Sequence, residues 1–242
     1  MRNSEQLETK LWEMRNRGEL VERTENNPHL KVSYKGTGSL IPEKWNVKIY
    51  KSGAVVCVDL PVLEDIMNDK LVAPDETKTV IQIDDAGIGF PLLGVMAGAT
   101  NGTTVETDIV GVSFFQSPAF ENKEYLKEYA RKGWNLITKK FKASPKIHRI
   151  EICTGFVNTE LKSLLRSYGF QVNVVEVKGL LQDNLERLFK EYVHTTLGID
   201  LAYDPKEMKA AGNNIGRTYY QVLGWGKQNA PHLLKTGWKS MQ

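Results

Sequence analysis

Hydrophobic and polar positions recur along this chain at two different periods, and each change of period marks an element. Between residues 3 and 25, Leu7, Leu11, Met14 and Leu20-Val21 recur among charged residues. That spacing predicts an amphipathic helix, with Ser4 placed to cap it and Gly18 placed to break it. Asn26-Asn27-Pro28 ends the pattern. Leu30-Lys31-Val32-Ser33-Tyr34 then alternates with a period of two, as a half-buried strand does, and Gly36-Thr37-Gly38 follows as a loop. The run WNVKIYKSGAVVCVDL holds two strand-like segments around Lys51-Ser52-Gly53, which predicts a hairpin with glycine at its turn. Residues 61–78 contain proline and aspartate and are only weakly periodic. An apolar strand starts abruptly at Val80, so a boundary is expected near Pro74.

Beyond that boundary the elements are sharper. VIQID (80–84) is a short strand, followed by the glycine-rich DAGIG; LLGVMAGAT (92–100) and VETDIVGVSFF (105–115) are two more, joined by the hairpin signal Asn101-Gly102. Leu126, Tyr129, Ala130, Gly133-Trp134, Ile137 and Phe141 give residues 121–142 a helical period. HRIEICTG (148–155) is a fourth strand. NTELKSLLRSYGF is a helix capped by Asn158 or Thr159 and closed by Gly169, QVNVVEVKG is a fifth strand, and LQDNLERLFKEYVHTTLG is a helix ending at Gly198.

The resulting order, β-β-β-α-β-α-β-α, predicts an α/β fold. Three consecutive strands with a hairpin make an antiparallel unit, and the helix-connected strands four and five must run parallel to a neighbour. A mixed five-stranded sheet with helices on its faces follows. Ribonuclease H-like folds have this topology, as does each half of the actin-like kinases, and element order alone does not choose between them. The expected division is a small N-terminal α+β segment (1–74), the five-stranded domain (75–200) and a C-terminal extension (201–242).

Composition adds limits. The 242 residues are 41% hydrophobic and 25% charged, so a full core can form without a metal or disulfide staple. Thirty-two basic against 29 acidic residues leave a net charge of +3, which excludes both an acidic solvating chain and a polycation. Cys57 and Cys153 both lie in apolar runs, which argues against a disulfide framework or a four-ligand zinc site and fits a reducing compartment. No stretch reaches the ~18 apolar residues of a membrane span, and MRNSEQLETK has no signal-peptide core. The expectation is a cytoplasmic protein with no membrane partner.

The chemistry-bearing residues are acidic. Asp84 and Asp85 end the first strand of the five-stranded unit, at the sheet edge where ligands collect in such folds, although alternation directs successive side chains to opposite faces. Glu151 interrupts the apolar strand RIEIC, where a carboxylate must be paired, metal-bound or strand-terminal. Asp183 and Glu186 lie three apart at the start of the last helix, where acids also favour the helix dipole. Carboxylates converging from these places would need a divalent cation, and oxygen ligands suit Mg2+ or Mn2+. A pair of ions ~3.5–4 Å apart would support phosphodiester cleavage, with Asp84, Glu151 and Asp183 as metal ligands and Asp85 or Glu186 completing the set. HExxH, GxSxG and P-loop patterns are absent, and neither cysteine has a neighbouring histidine in sequence, so nucleophilic and zinc chemistries get little support.

VIQIDDAGIGFPLLGV resembles the first-strand signature of type 2 and type 3 ribonucleases H, Asp-Glu-x-Gly-x-Gly followed by a further glycine. The resemblance implies that Asp84 is the metal-binding aspartate, that Asp85 stands where those enzymes have Glu, and that the backbone of Gly87 and Gly89 touches a nucleic acid strand. KIYKSGAVV resembles the hairpin that closes the small substrate-binding domain ahead of this motif in type 3 enzymes. A Glu in strand four with acids three apart in the last helix is closer to the Holliday-junction resolvases. The implied activity is metal-dependent hydrolysis of an RNA–DNA hybrid or a structured DNA. The alternative is a nucleic-acid-binding protein on the same fold with its acids degenerate.

Charge distribution points the same way. Lys31, Lys35, Lys44, Lys48 and Lys51 face Glu43 alone in residues 30–56, and Lys139, Lys140, Lys142, Lys146 and Arg149 precede strand four. From Lys209 onward there is no acid, while Arg217, Lys227, Lys235 and Lys239 are interleaved with Tyr219, Tyr220, Trp225 and Trp238. Basic segments with aromatics suit phosphate contact and base stacking. The same aromatics could instead pack a C-terminal lobe onto the core.

Overall fold

The structure, a computed structural model, describes residues 2–238 apart from 39, 59, 69, 72–74, 204–207, 209–211 and 213, and apart from the side chains of 2–4 and 61. The cap expected of Ser4, the boundary at Pro74, and Lys209 and Lys239 lie outside the described residues.

Helix α1 (Arg2–Asn16) buries Leu7, Leu11 and Met14, one stripe at three- and four-residue spacing. It stops earlier than the periodicity predicts. Gly18 takes a left-handed φ of 77°, and Leu20, expected in the helix, instead pairs with Gly36 in strand β1 (Leu20–Glu22). Strands β2 (Leu30–Gly36), β3 (Asn46–Tyr50) and β4 (Val55–Cys57) complete an antiparallel sheet in the order β1-β2-β3-β4, and Gly53 makes the predicted hairpin turn. The weakly periodic segment after it contains a helix, α2 (Leu60–Met67), whose Val62 and Ile66 are buried. Asp65 on α2 pairs with Arg166 at 2.5 Å, tying this unit to the larger one.

The larger sheet is β5 (Thr79–Ala86), β6 (Val95–Thr100), β7 (Val105–Val110), β8 (His148–Cys153) and β9 (Gln171–Val175). Its order is β7-β6-β5-β8-β9, with β5, β6 and β7 antiparallel and β5, β8 and β9 parallel. The mixed sheet read from the sequence is the sheet observed. Every residue of β6 is buried because both faces are covered, which explains why it is apolar apart from the terminal Thr100. Its Gly98 lies where a side chain would collide with Leu185 of the helix above. The segment SFF, expected as strand, is a short 3-10 turn (Val112–Phe115).

Two cores flank this sheet. On one face lie α3 (Glu124–Asn135), which continues as a π-helical turn through Lys140, and α4 (Thr159–Ser167). Their buried residues merge with Leu11, Trp45 and Val47 of the N-terminal unit into one continuous core. On the other face α5 (Leu180–Leu197) lays Leu181, Leu185, Phe189 and Val193 onto the sheet, each four residues from the last. A further helix, α6 (Ile215–Asn229), adds Val222 and Leu223 to that core. Three glycines and interleaved polar residues hide α6 from a periodicity reading, yet Gly226 is what lets it approach Leu92 and Leu234. No helix among the described residues is long and apolar enough to cross a membrane.

Candidate active site

Strand β5 runs in register with β8 from Thr79 beside His148 to Ile83 beside Ile152. Glu151 therefore sits beside Gln82, inside the sheet, and the next step of the register brings Cys153 level with Asp84. Partnership follows position. Glu151 accepts from Gln82 Nε2 at 2.9 Å and from Arg149 Nη1 at 2.5 Å, and Arg149 also reaches Glu76 at 3.3 Å. The carboxylate that the sequence offers as a metal ligand is instead consumed by an ion pair, because its register stops short of the strand end.

Cys153 takes that place. Its sulfur and the carboxylate oxygens of Asp84 and Asp85 all lie within 4.8 Å of one another. The thiol donates to Asp85 Oδ1 at 3.8 Å and receives a hydrogen bond from Asn158 Nδ2 at 3.0 Å. Asn158 thus turns its amide onto the sulfur rather than capping α4, the role its sequence position suggested. Alternation sets Asp84 and Asp85 on opposite faces, but at the strand end both carboxylates converge; Asp84 also accepts from the Asp85 backbone N–H at 2.8 Å.

The electrostatics are those of crowded acids. Burial, then the charge of Asp84, pushes the Asp85 carboxyl up to about 7. Burial and the two neighbouring carboxylates hold the Cys153 thiol well above its ordinary range. Tyr129, fully buried on α3, feels Asp85, Cys153 and Asp84, and its hydroxyl has no hydrogen-bond partner among the described residues.

A lysine reaches the same place from the far end of the chain. The segment 231–238 folds back over the glycine loop: Leu93 N–H donates to Leu233 O at 2.8 Å, Lys235 N–H to Pro91 O at 3.0 Å and Gly237 N–H to Phe115 O at 3.0 Å. This strap buries Lys235 completely, with Nζ donating to Gly87 O and lying 5.3 Å from the Phe115 ring centroid. Burial lowers its ammonium to about 7, against the pull of Asp85. In the sequence Lys235 is one basic residue of the tail; nothing in a one-dimensional pattern signals a contact spanning 148 positions.

Beside the acids lies a cleft of about 200 Å³, lined by Asp85 to Phe90, Glu186, Phe189, Lys190 and Tyr203. Gly87, at φ 89°, has no room for a side chain because Phe189 packs against it, whereas Gly89 faces open space. Glu186 lines this cleft and accepts from Gln182 at 2.9 Å. Asp183 does not join it; it is exposed in the first turn of α5, opposite the buried stripe.

The basic candidates are spread out. Lys48 is held by Glu25 at 2.5 Å, which lowers that glutamate's pKa, while Lys51 is exposed at its hairpin turn. Lys139 and Lys140 are exposed at the end of the π turn, Lys140 lying 3.6 Å from Glu106. Arg217 and Lys227 are exposed on α6. The tail aromatics pack inward for the most part: Trp238 stacks on Phe115 at 5.8 Å, and Tyr219 and Trp225 lie against the second core, leaving Tyr220 exposed.

What decides the architecture is the sheet itself, with one copy of the β-β-β-α-β-α-β-α unit and an acid pair at the C-terminal end of its central strand. The fold is ribonuclease H-like. No family model and no curated protein matches the chain. Among solved structures it is similar to a mutant of Bst-RNase HIII, at 12% identity over 95% of this chain and 93% of that one, with a TM-score of 0.38. It is also similar to Bst-RNase HIII in complex with Mn2+, at 12% identity over 96% and 94% of the two chains, with a TM-score of 0.35. RNase H3 of Aquifex aeolicus is 11% identical over 88% and 94%, with a TM-score of 0.26.

Crowded carboxylates at a strand end suit a divalent ion, and the residues here fit one. Three donors converge, Gly155 leaves a space in which a side chain would stand 3.2 Å from Asp85 Oδ1, and the Tyr129 hydroxyl is unpartnered. The pair of ions expected from the sequence is not matched. Glu151 is withdrawn and Asp183 is exposed, so among the described residues the converged donors suffice for a single ion.

Proposed function

We propose that this protein is a divalent-metal-dependent nuclease that hydrolyses phosphodiester bonds in an RNA–DNA hybrid. The observation that carries the reading is the convergence of Asp84, Asp85 and Cys153 at the C-terminal end of β5, with Asp85 also lining the cleft beside the glycine loop. The resemblance of DDAGIG to the first-strand signature of the type 2 and type 3 enzymes favours a hybrid as substrate.

Asp84 and Asp85 would hold the ion, which would supply positive charge for a scissile phosphate and activate a water. The backbone of residues 87–89 borders the cleft, with Gly89 free of side-chain obstruction, so a sugar-phosphate strand can lie close to it. Lys235 fixes this loop from below by taking the Gly87 carbonyl. Glu186 and Lys190 form the opposite wall. Exposed Lys51, Lys139, Arg217 and Lys227 give affinity independent of sequence.

One observation favours a second reading, a binding protein with a degenerate site: strand β8 presents a thiol rather than a third carboxylate. Cleavage of a labelled hybrid by pure wild-type protein and by Asp84→Asn separates the two. Metal-dependent turnover that Asp84→Asn abolishes supports the nuclease. Salt-sensitive binding with no turnover in any divalent ion rejects it in favour of the binder.

A further inference from the structure

We propose that Asp84, Asp85 and Cys153 form a single-ion site selective for thiophilic divalent metals of the Zn2+ class over Mg2+, with the Cys153 sulfur as a ligand. The inference deepens the nuclease reading and rests on it only in taking the end of β5 as the metal site.

Donor chemistry comes first. Mg2+ takes oxygen ligands in near-ideal octahedra and gains nothing from sulfur, whereas Zn2+ takes thiolate and carboxylate together. Three protein ligands with one position left open is the arrangement of a reactive zinc site. Tetrahedral Zn–S and Zn–O bonds put sulfur and oxygen about 3.5 Å apart. The observed separation of Cys153 Sγ from Asp85 Oδ1 is 3.8 Å, so little movement closes the site.

Independent features at the same place point to a ligand. Tyr129 is fully buried, and its unpartnered hydroxyl lies in the field of all three donors. Leaving such a group unsatisfied costs free energy unless something supplies a partner. Asn158, also fully buried, donates to the sulfur at 3.0 Å while its own Oδ1 finds no partner among the described residues. An N–H aimed at sulfur stabilises a thiolate and fixes its direction, as outer partners do at metal centres. Gly155 completes the cradle: a methyl group there would stand 3.6 Å from the sulfur as well as against Asp85. One divalent ion together with the Lys235 ammonium balances two carboxylates and a thiolate. As the metal–sulfur bond forms, the thiol proton passes to solvent.

The test is optical and needs no nucleic acid. The full chain is titrated with Cd2+ alone, and the thiolate-to-cadmium charge-transfer absorption is followed in the ultraviolet. Wild type should show the band saturating at about one equivalent and surviving a roughly 1000-fold excess of Mg2+. Cys153→Ser should lose the band, Asp84→Asn should weaken binding by more than about 10-fold, and Cys57→Ser should retain both band and affinity. Circular dichroism identifies any variant that fails to fold, and Cys57→Ser, remote from the site, then carries the assignment. Absence of the band in folded wild type, its loss in Cys57→Ser alone, or displacement of Cd2+ by comparable Mg2+ overturns the proposal. Mg2+-driven hybrid cleavage without the band rejects the thiolate site and leaves the nuclease standing. A Cys153-dependent band with no cleavage in any metal does the reverse.

Discussion

Strand β8 carries two polar side chains two residues apart whose surroundings have opposite character. Glu151, in the body of the sheet, is half-buried and matched, with Gln82 on one oxygen and Arg149 on the other. Cys153, at the strand end, is packed against two carboxylates that repel each other, and burial together with those carboxylates raises its pKa. A buried charge with a full set of partners is a structural arrangement. Like charges held together are costly in the folded protein, and such clusters mark places where a ligand supplies what the chain does not.

The sharpest way to break that comparison is to remove one acid from each region. Asp84→Asn should lower hybrid cleavage by more than about 100-fold, beyond the loss expected from an outer partner, while Glu151→Gln should keep it within about threefold, as residues outside the reacting groups do. Initial rates on one labelled hybrid measure both. Gly87→Ala should cost about 2–3 kcal/mol, because it combines a left-handed φ of 89° with a collision against Phe189. Denaturant midpoints would register that loss. The cost of Glu151→Gln falls on stability too, about 1–2 kcal/mol, since Arg149 keeps a hydrogen-bonding amide but loses its close counter-charge. That corresponds to a drop of roughly 2–8 °C in Tm for a chain of this size.

The pH dependence of the metal-free protein sharpens the contrast further. Asp85 is raised from 3.8 to about 7, so folding takes up a proton between those values and stability falls as pH rises through that window. Lys235 is lowered from 10.5 to about 7, so folding releases a proton above neutrality and stability rises from about 7 to 10.5. A shallow minimum near pH 7 is expected in urea midpoints, and Lys235→Met should remove its alkaline limb. The smallest effect belongs to the N-terminal sheet. Glu25 already neutralises Lys48, so Lys48→Gln with Lys51→Gln should reduce the slope of log affinity against log salt by about 0.9, one phosphate contact rather than two.

The five-stranded unit was legible because its strands are punctuated by Asn101-Gly102, Gly169 and Gly198, and its helices repeat at four residues. Strand register was not. Periodicity reports which face a residue occupies, not how far one strand extends past its neighbour, so Glu151 looked convergent with Asp84 while Cys153, the residue level with it, read as core. The usable signal was position: Cys153 is the last residue of an apolar strand, at the edge where Asp84 and Asp85 also lie. Helices α2 and α6 were missed for different reasons. One is short, and the other owes its place to glycines that permit close packing. Lys235 depends on a strap that closes only in three dimensions.

The central claim, that the end of β5 and not the middle of β8 holds the ion, is tested most directly by anomalous scattering from crystals soaked separately in Zn2+ and Mn2+. A single peak within ligand distance of the Asp84 and Asp85 carboxylates and the Cys153 sulfur, stronger with Zn2+ at equal concentration, is the predicted result. A peak beside Glu151 or Asp183, or a pair of ions at the strand end that leaves Cys153 unbound, would contradict it.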